Sequence, residues 1–141
     1  MPRRFQLAAL ENFLSTVDGF GIVSGFAVNL PRSALAGLTQ SPGMTGAVSG
    51  SPVETLVNEA IRELYRRMPR GRYAIIGAGG IRTAEDAYRK IRLGTSLVQL
   101  LTALIYHGPG VAARITRQLP ALLARDGVTR ISEVIGVDAH A

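Results

Sequence analysis

Residues 74–110, AIIGAGGIRTAEDAYRKIRLGTSLVQLLTALIYHGPG, alternate short apolar runs with helix-period stretches, and each apolar run closes on a glycine turn. Such alternation leaves few folds open, because strand, helix and strand joined by brief turns give a parallel sheet with helices outside it. RYAIIGAGG predicts a strand over Tyr73 to Ile76, too apolar to have a wet face and expected to be covered on both sides. Thr83 caps a helix with Glu85 and Asp86 in its first turn, and that helix stops at Gly94. SLVQLLT predicts another buried strand, and GPGVAARITRQLPALLARDG another helix, in which Pro120 should kink or restart the pattern. A short helix near Ile131 to Ile135 closes the fold.

Upstream the same logic holds. Phe5, Ala9, Phe13 and Val17, with Leu10 and Leu14, follow helical spacing, and DGFGIVSG then supplies a short apolar strand. Residues 25–50 are rich in Gly, Ser, Pro and Thr without periodicity and predict a long loop. In SGSPVETLVNEAIRELYRRM, Ser51 is expected as N-cap, with Pro52 at the first helical position and Glu54 three residues after the cap. Val53, Leu56, Val57, Ala60, Ile61, Leu64 and Tyr65 then form one apolar face.

Composition narrows the function classes. The 141 residues suffice for one domain, and 47% hydrophobic content argues for a packed core. With no cysteine, and only His107 and His140 as imidazoles, a disulfide frame and a structural zinc site are excluded and no metal is expected. The longest apolar stretch, Leu97 to Tyr106, is too short to cross a bilayer, and no signal-peptide pattern follows MPRRF, so a soluble cytoplasmic chain is expected. A net charge of +6 comes from fifteen arginines and Lys90. The only cluster, Arg62, Arg66, Arg67, Arg70 and Arg72, falls at a helix carboxyl terminus, where cations suit the macrodipole. It reads as a solvated helix end, with contact to an acidic partner as the alternative, and no nucleic acid is expected.

The glycine turns are the candidate site. A dinucleotide fingerprint from Gly77 would need glycine where Arg82 stands, and no Gly-Lys-Ser/Thr follows to make a Walker loop. Gly79 and Gly80 still allow close backbone approach, and N–H groups entering the Thr83 helix can face an anion. The second turn adds the Thr102 hydroxyl. Paired turns after the last two strands of a (β/α)8 barrel form that fold's usual phosphate site, while plain tight connections explain the glycines equally well. His107 reads as a loop surface residue. Glu85 and Asp86 read as capping groups, and Tyr65, Tyr73 and Tyr88 as core.

VSGSP (48–52), IRELY (61–65), IIGAGGI (75–81), DAYRKIRLGTSLVQLLTALIYHGPG (86–110), LLARDG (122–127) and IGVD (135–138) resemble the carboxyl-terminal part of the membrane-associated, quinone-reducing class of dihydroorotate dehydrogenase, in register from about Asp18 to Asp138. The resemblance implies an α/β fold, the last three β/α units of a (β/α)8 TIM barrel with a preceding helix, in a single partial domain over 1–141. It implies FMN as cofactor, with Ser24, Ser49, Gly50, Gly79, Gly80, Leu101 and Thr102 as binding positions, and oxidation of dihydroorotate to orotate in pyrimidine biosynthesis. The family's first half, with its catalytic serine loop and membrane-binding helices, has no counterpart here, so no catalytic residue is assigned and the chain alone is expected to be inactive. Three strands cannot close an eight-stranded barrel. The expected partners are therefore FMN and either the missing amino-terminal barrel half or a second copy; the alternative is a non-catalytic remnant that self-associates. Where the family ends its strand with Thr-Asn-Thr, this sequence is expected to place Ser24, Gly25 and Phe26, with Asn29 as the nearest substitute amide.

Overall fold

The computed structural model describes residues 7–29, 48–69 and 71–140. Phe5, Arg70 and most of the expected loop of residues 25–50 lie outside them. Helix α1 (Leu7–Asp18) leads to strand β1 (Gly25–Val28); a single 3-10 turn (Ser51–Val53) opens α2 (Glu54–Arg67). Then follow β2 (Ala74–Ala78), α3 (Ala84–Arg92), β3 (Leu97–Gln99), α4 (Thr102–His107) and α5 (Val111–Arg125), with a terminal 3-10 turn at Ile131–Val134. The strands form one parallel sheet in the order β1-β2-β3, with Ala27, Ile76 and Leu97 in one row of the register.

One face of the sheet is sealed. Val53, Val57, Ile61 and Leu64 of the α2 segment pack with Leu14 of α1 on Ile75. A second cluster joins Ala84, Ala87, Tyr88 and Ile91 of α3 to Val111, Ile115 and Leu122 of α5. Along β2 the buried positions are Ile75 and Gly77, on the helix side, while Ala74, Ile76 and Ala78 are only half-buried on the other. Coverage of both faces, expected from the apolarity of this strand, is therefore not found among the described residues. SLVQLLT departs further: only three residues are strand, Leu97 is 60% exposed, and Val98 alone packs inward.

Local signals fared unevenly. The cap at Thr83 is a full capping box, its hydroxyl accepting from the Asp86 amide while the Asp86 carboxylate accepts from the Thr83 amide. Ser51 is not an N-cap; Gly50 precedes the 3-10 turn and no side chain caps it. Glu54 instead pairs with Arg89 across to α3. Pro120 does not break α5. It and Thr116, whose carbonyl loses its donor, are both exposed, so solvent can serve the vacated carbonyl.

Three arginines of the cluster are tied to neighbouring groups. Arg67 pairs with Glu63, Arg66 reaches the Ala139 carbonyl, and Arg72 donates to the Val23 carbonyl at 3.1 Å while stacking 4.6 Å above Tyr73. The three tyrosines are core residues with anchored hydroxyls. Tyr73 donates to Asp18 at 2.7 Å and Tyr88 to Asp126 at 3.0 Å, while the Tyr65 ring fills the space where side chains at Gly94 and Gly136 would project.

Candidate functional site: a cleft at the carboxyl ends of the strands

The loops after all three strands meet around one cleft of about 620 Å³. Asn29 closes it after β1, Ser49, Gly50 and Pro52 approach it before α2, Gly79 to Arg82 after β2, and Leu100 to Ala103 after β3. The Thr102 hydroxyl donates to Ser49 Oγ at 2.9 Å, which joins two of these loops directly. Gly50, at φ 83°, packs so closely on Thr102 that a Cβ there would lie 3.0 Å from Thr102 Cγ2.

Six of the seven expected binding positions are thereby brought together: Ser49, Gly50, Gly79, Gly80, Leu101 and Thr102. Ser24 is not. It precedes β1, and its carbonyl accepts from the Ala74 amide at 2.9 Å, at the amino end of the sheet. The strand begins at Gly25, so Gly25 and Phe26 open it instead of ending it, and Val28 and Asn29 occupy its carboxyl end. The glycines of DGFGIVSG pulled the expected strand too early. Phe26 packs instead on Tyr73, ring centroids 4.9 Å apart.

The glycine turn has a packing cause and leaves donors free. Gly79 and Gly80 have φ of 91° and 74°, and added Cβ atoms would lie 2.8 Å from Val53 Cγ2 and 2.5 Å from Glu54 Cβ. The first turn therefore sits directly on the start of α2. No carbonyl among the described residues accepts from the Gly79, Gly80 or Leu101 amides. The backbone amides at the start of α3, by contrast, are already occupied: Asp86 Oδ2 accepts from the Arg82 and Thr83 amides at 3.0 and 3.1 Å, and its carboxylate is buried there. The lining of the cleft includes no carboxylate and one guanidinium, Arg82.

Behind the turn lies a residue that composition alone hides. Lys90, the only lysine, is fully buried, its Nζ donating to Asn58 Oδ1 at 2.6 Å and its stem crossing behind Gly77. Burial pushes its pKa down to about 8, against the pull of Glu54 and Asp86 and with the repulsion of Arg89. A solitary lysine among fifteen arginines was the available signal. His107 lines the cleft from the last turn of α4 and is exposed. Among the described residues there is no cluster of metal-ligating side chains and no helix long and apolar enough to cross a membrane.

Parallel β/α units with a ligand-sized cleft at the carboxyl ends of their strands define a piece of a (β/α)8 barrel. The sequence profile of the dihydroorotate dehydrogenase family matches residues 14–123, and the chain belongs to that family. A dihydroorotate dehydrogenase (quinone) of Azorhizobium caulinodans is 43% identical over 122 residues, 86% of this chain and 33% of the relative. Its counterpart in Xanthobacter autotrophicus is 48% identical over 96 residues, 68% of this chain and 27% of the relative. The crystal structure of DHODH from Eimeria tenella in complex with ferulenol superposes with a TM-score of 0.82 at 29% identity, over 96% of this chain and 36% of that one. The chain thus spans about a third of the length of the curated relatives it matches.

Proposed function

We propose that the cleft binds the phosphate end of FMN, and that the chain acts as the carboxyl-terminal part of a flavin oxidoreductase converting dihydroorotate to orotate. The family is generally flavin-dependent. The observation that carries the reading is the donor set: Gly79, Gly80 and Leu101 amides, the Ser49 hydroxyl oriented by the bond it accepts from Thr102, and Arg82, with no carboxylate lining the same cleft. Backbone amides and hydroxyls hold a phosphate dianion without a local lysine. Flavin, when bound, would accept the hydride that dihydroorotate gives up. The chain's own residues bind and orient: the two glycine-borne amides fix the phosphate, Pro52, Ile81 and Leu100 offer apolar surface, and the Asn29 amide stands at the strand end where a pyrimidine edge would be read. Loss of such an amide pair lowers selectivity by orders of magnitude.

The test is titration of the full chain with FMN and with riboflavin, followed by quenching of flavin fluorescence. FMN is expected to bind at least about tenfold tighter, the worth of one charge-assisted hydrogen bond. Equal affinity for the two, or no binding of either, overturns the phosphate reading. A second reading has its own observation, the 60% exposure of Leu97 on the uncovered sheet face: a non-catalytic barrel piece that pairs with another copy or with a complementary half. A colourless oligomer in sedimentation supports that reading, and a yellow species supports the first.

A further inference from the structure

A second cleft, of about 530 Å³, opens beside the first. Its walls are Arg82, Thr83 and Glu85 at the start of α3, His107 at the end of α4, and Arg114 and Gln118 on α5. Arg82 and His107 line both clefts, so the two adjoin. Arg114 and Gln118 are four residues apart on one helix and share a face. The Arg114 guanidinium has no ion pair or hydrogen bond with another described residue. Arg82 Nε forms an ion pair with Asp86 Oδ2 at 3.7 Å, which answers part of its charge but is too long for a hydrogen bond, so its N–H groups can still donate to a ligand. Glu85 is the one carboxylate on these walls, against two guanidiniums.

We propose that this cleft is a second anion site, built to take a phosphate-type group alongside the first. Guanidinium forks match phosphate oxygens in pairs, the Gln118 amide adds donors, and the exposed imidazole of His107 can turn a ring N–H to either cleft. Two sources offer that chemistry: the distal phosphate of a flavin dinucleotide whose near end occupies the first cleft, or a free ion of the pyrophosphate kind. The residues concerned stand on charge and shape alone, so the proposal does not need the flavin reading to hold.

Calorimetric titration of the full chain with pyrophosphate, alone and with saturating FMN, separates these cases, with FAD and FMN compared in parallel and Arg114→Gln as the variant. Arg114 is exposed and lies outside the first cleft, so the variant is expected to keep its circular dichroism and its FMN affinity within about twofold. Pyrophosphate binding that persists beside FMN and weakens about tenfold in R114Q establishes the site with a free ion. Tighter binding of FAD than of FMN, with the advantage lost in R114Q, establishes it with a dinucleotide. Pyrophosphate binding equal in R114Q overturns the proposal, as does its displacement or absence together with FAD no tighter than FMN. A chain that takes up no FMN yet shows Arg114-dependent pyrophosphate binding sinks the flavin reading and leaves this one standing.

Discussion

Lys90 is the residue whose environment departs furthest from its composition. An ammonium with no exposed surface, depressed to about 8 by burial, is expected to make stability depend on pH in a definite direction. An unfolded lysine titrates at about 10.4, so between pH 8 and 10 the unfolded chain holds more protons and the folded state gains with rising pH. Below pH 8 both states are protonated and the contribution is flat. The unfolding free energy from urea denaturation is expected to rise between pH 7 and pH 10 by an amount on the order of 1–3 kcal/mol, and Lys90→Met should remove that rise while leaving stability at pH 7 equal or higher. Tyr73 and Tyr88, whose hydroxyls burial pushes up, act in the opposite sense only above about pH 10 and cancel in the comparison. Parallel curves for the two proteins would remove Lys90 from the account. Gly80 gives a complementary test, since a side chain there meets Glu54 Cβ at 2.5 Å in a backbone region that disfavours it. Gly80→Ala is expected to cost about 2–4 kcal/mol in urea denaturation and to weaken FMN binding by displacing the turn.

Among the elements, α3 was the most legible and repays the closest test. Its cap depends on residues three apart, so Thr83, Asp86 and the stop at Gly94 could be read from a dozen letters, and the capping box follows. Thr83→Ala is expected to cost about 1 kcal/mol, the usual worth of an N-cap. Asp86→Ala should cost more, about 2–3 kcal/mol, because it strands the Arg82 and Thr83 amides together. Urea midpoints in that order confirm the cap; equal losses would mean that solvent replaces Asp86. The elements read less well are those whose limits are set by distant partners. Ser51 looked like a cap, yet Pro52 and the turn at Gly50 wind that entry into a 3-10 turn, and Glu54 is drawn off to Arg89. The first strand was expected over the apolar letters between glycines, but pairing with β2 from Gly25↔Ala74 onward places it later. Ser24 consequently leaves the candidate site and Asn29 enters it. The cleft gathers the six positions that sit in the loops after β2 and β3 and before α2, which are set locally, whereas the place of Ser24 depended on strand register.

For the molecule as a whole, the uncovered face of the sheet is the feature with the largest consequence. Ala27, Ile76 and Leu97 form its central row, and Leu101, Ile105 and Tyr106 are further exposed apolar side chains after the end of β3. SLVQLLT was read as buried because its letters are apolar; the letters suit a strand enclosed on both faces, and the described helices enclose one. The curated relatives are about three times as long, and in a polypeptide of these 141 residues the described residues leave Leu97 60% exposed on this face. Such a polypeptide is expected to self-associate in a concentration-dependent way, since open parallel edges and exposed apolar rows both favour pairing. Leu97→Lys removes one leucine from the contact and adds a charge. Burying a leucine is worth about 1.5–3 kcal/mol, so the variant's association constant in sedimentation velocity should fall by about tenfold or more. Its urea midpoint should move little, because Leu97 contributes no buried contact to the core within one chain. A single species at every concentration, unchanged by the substitution, would show that this face is not a contact between copies and that the open sheet is tolerated as it stands.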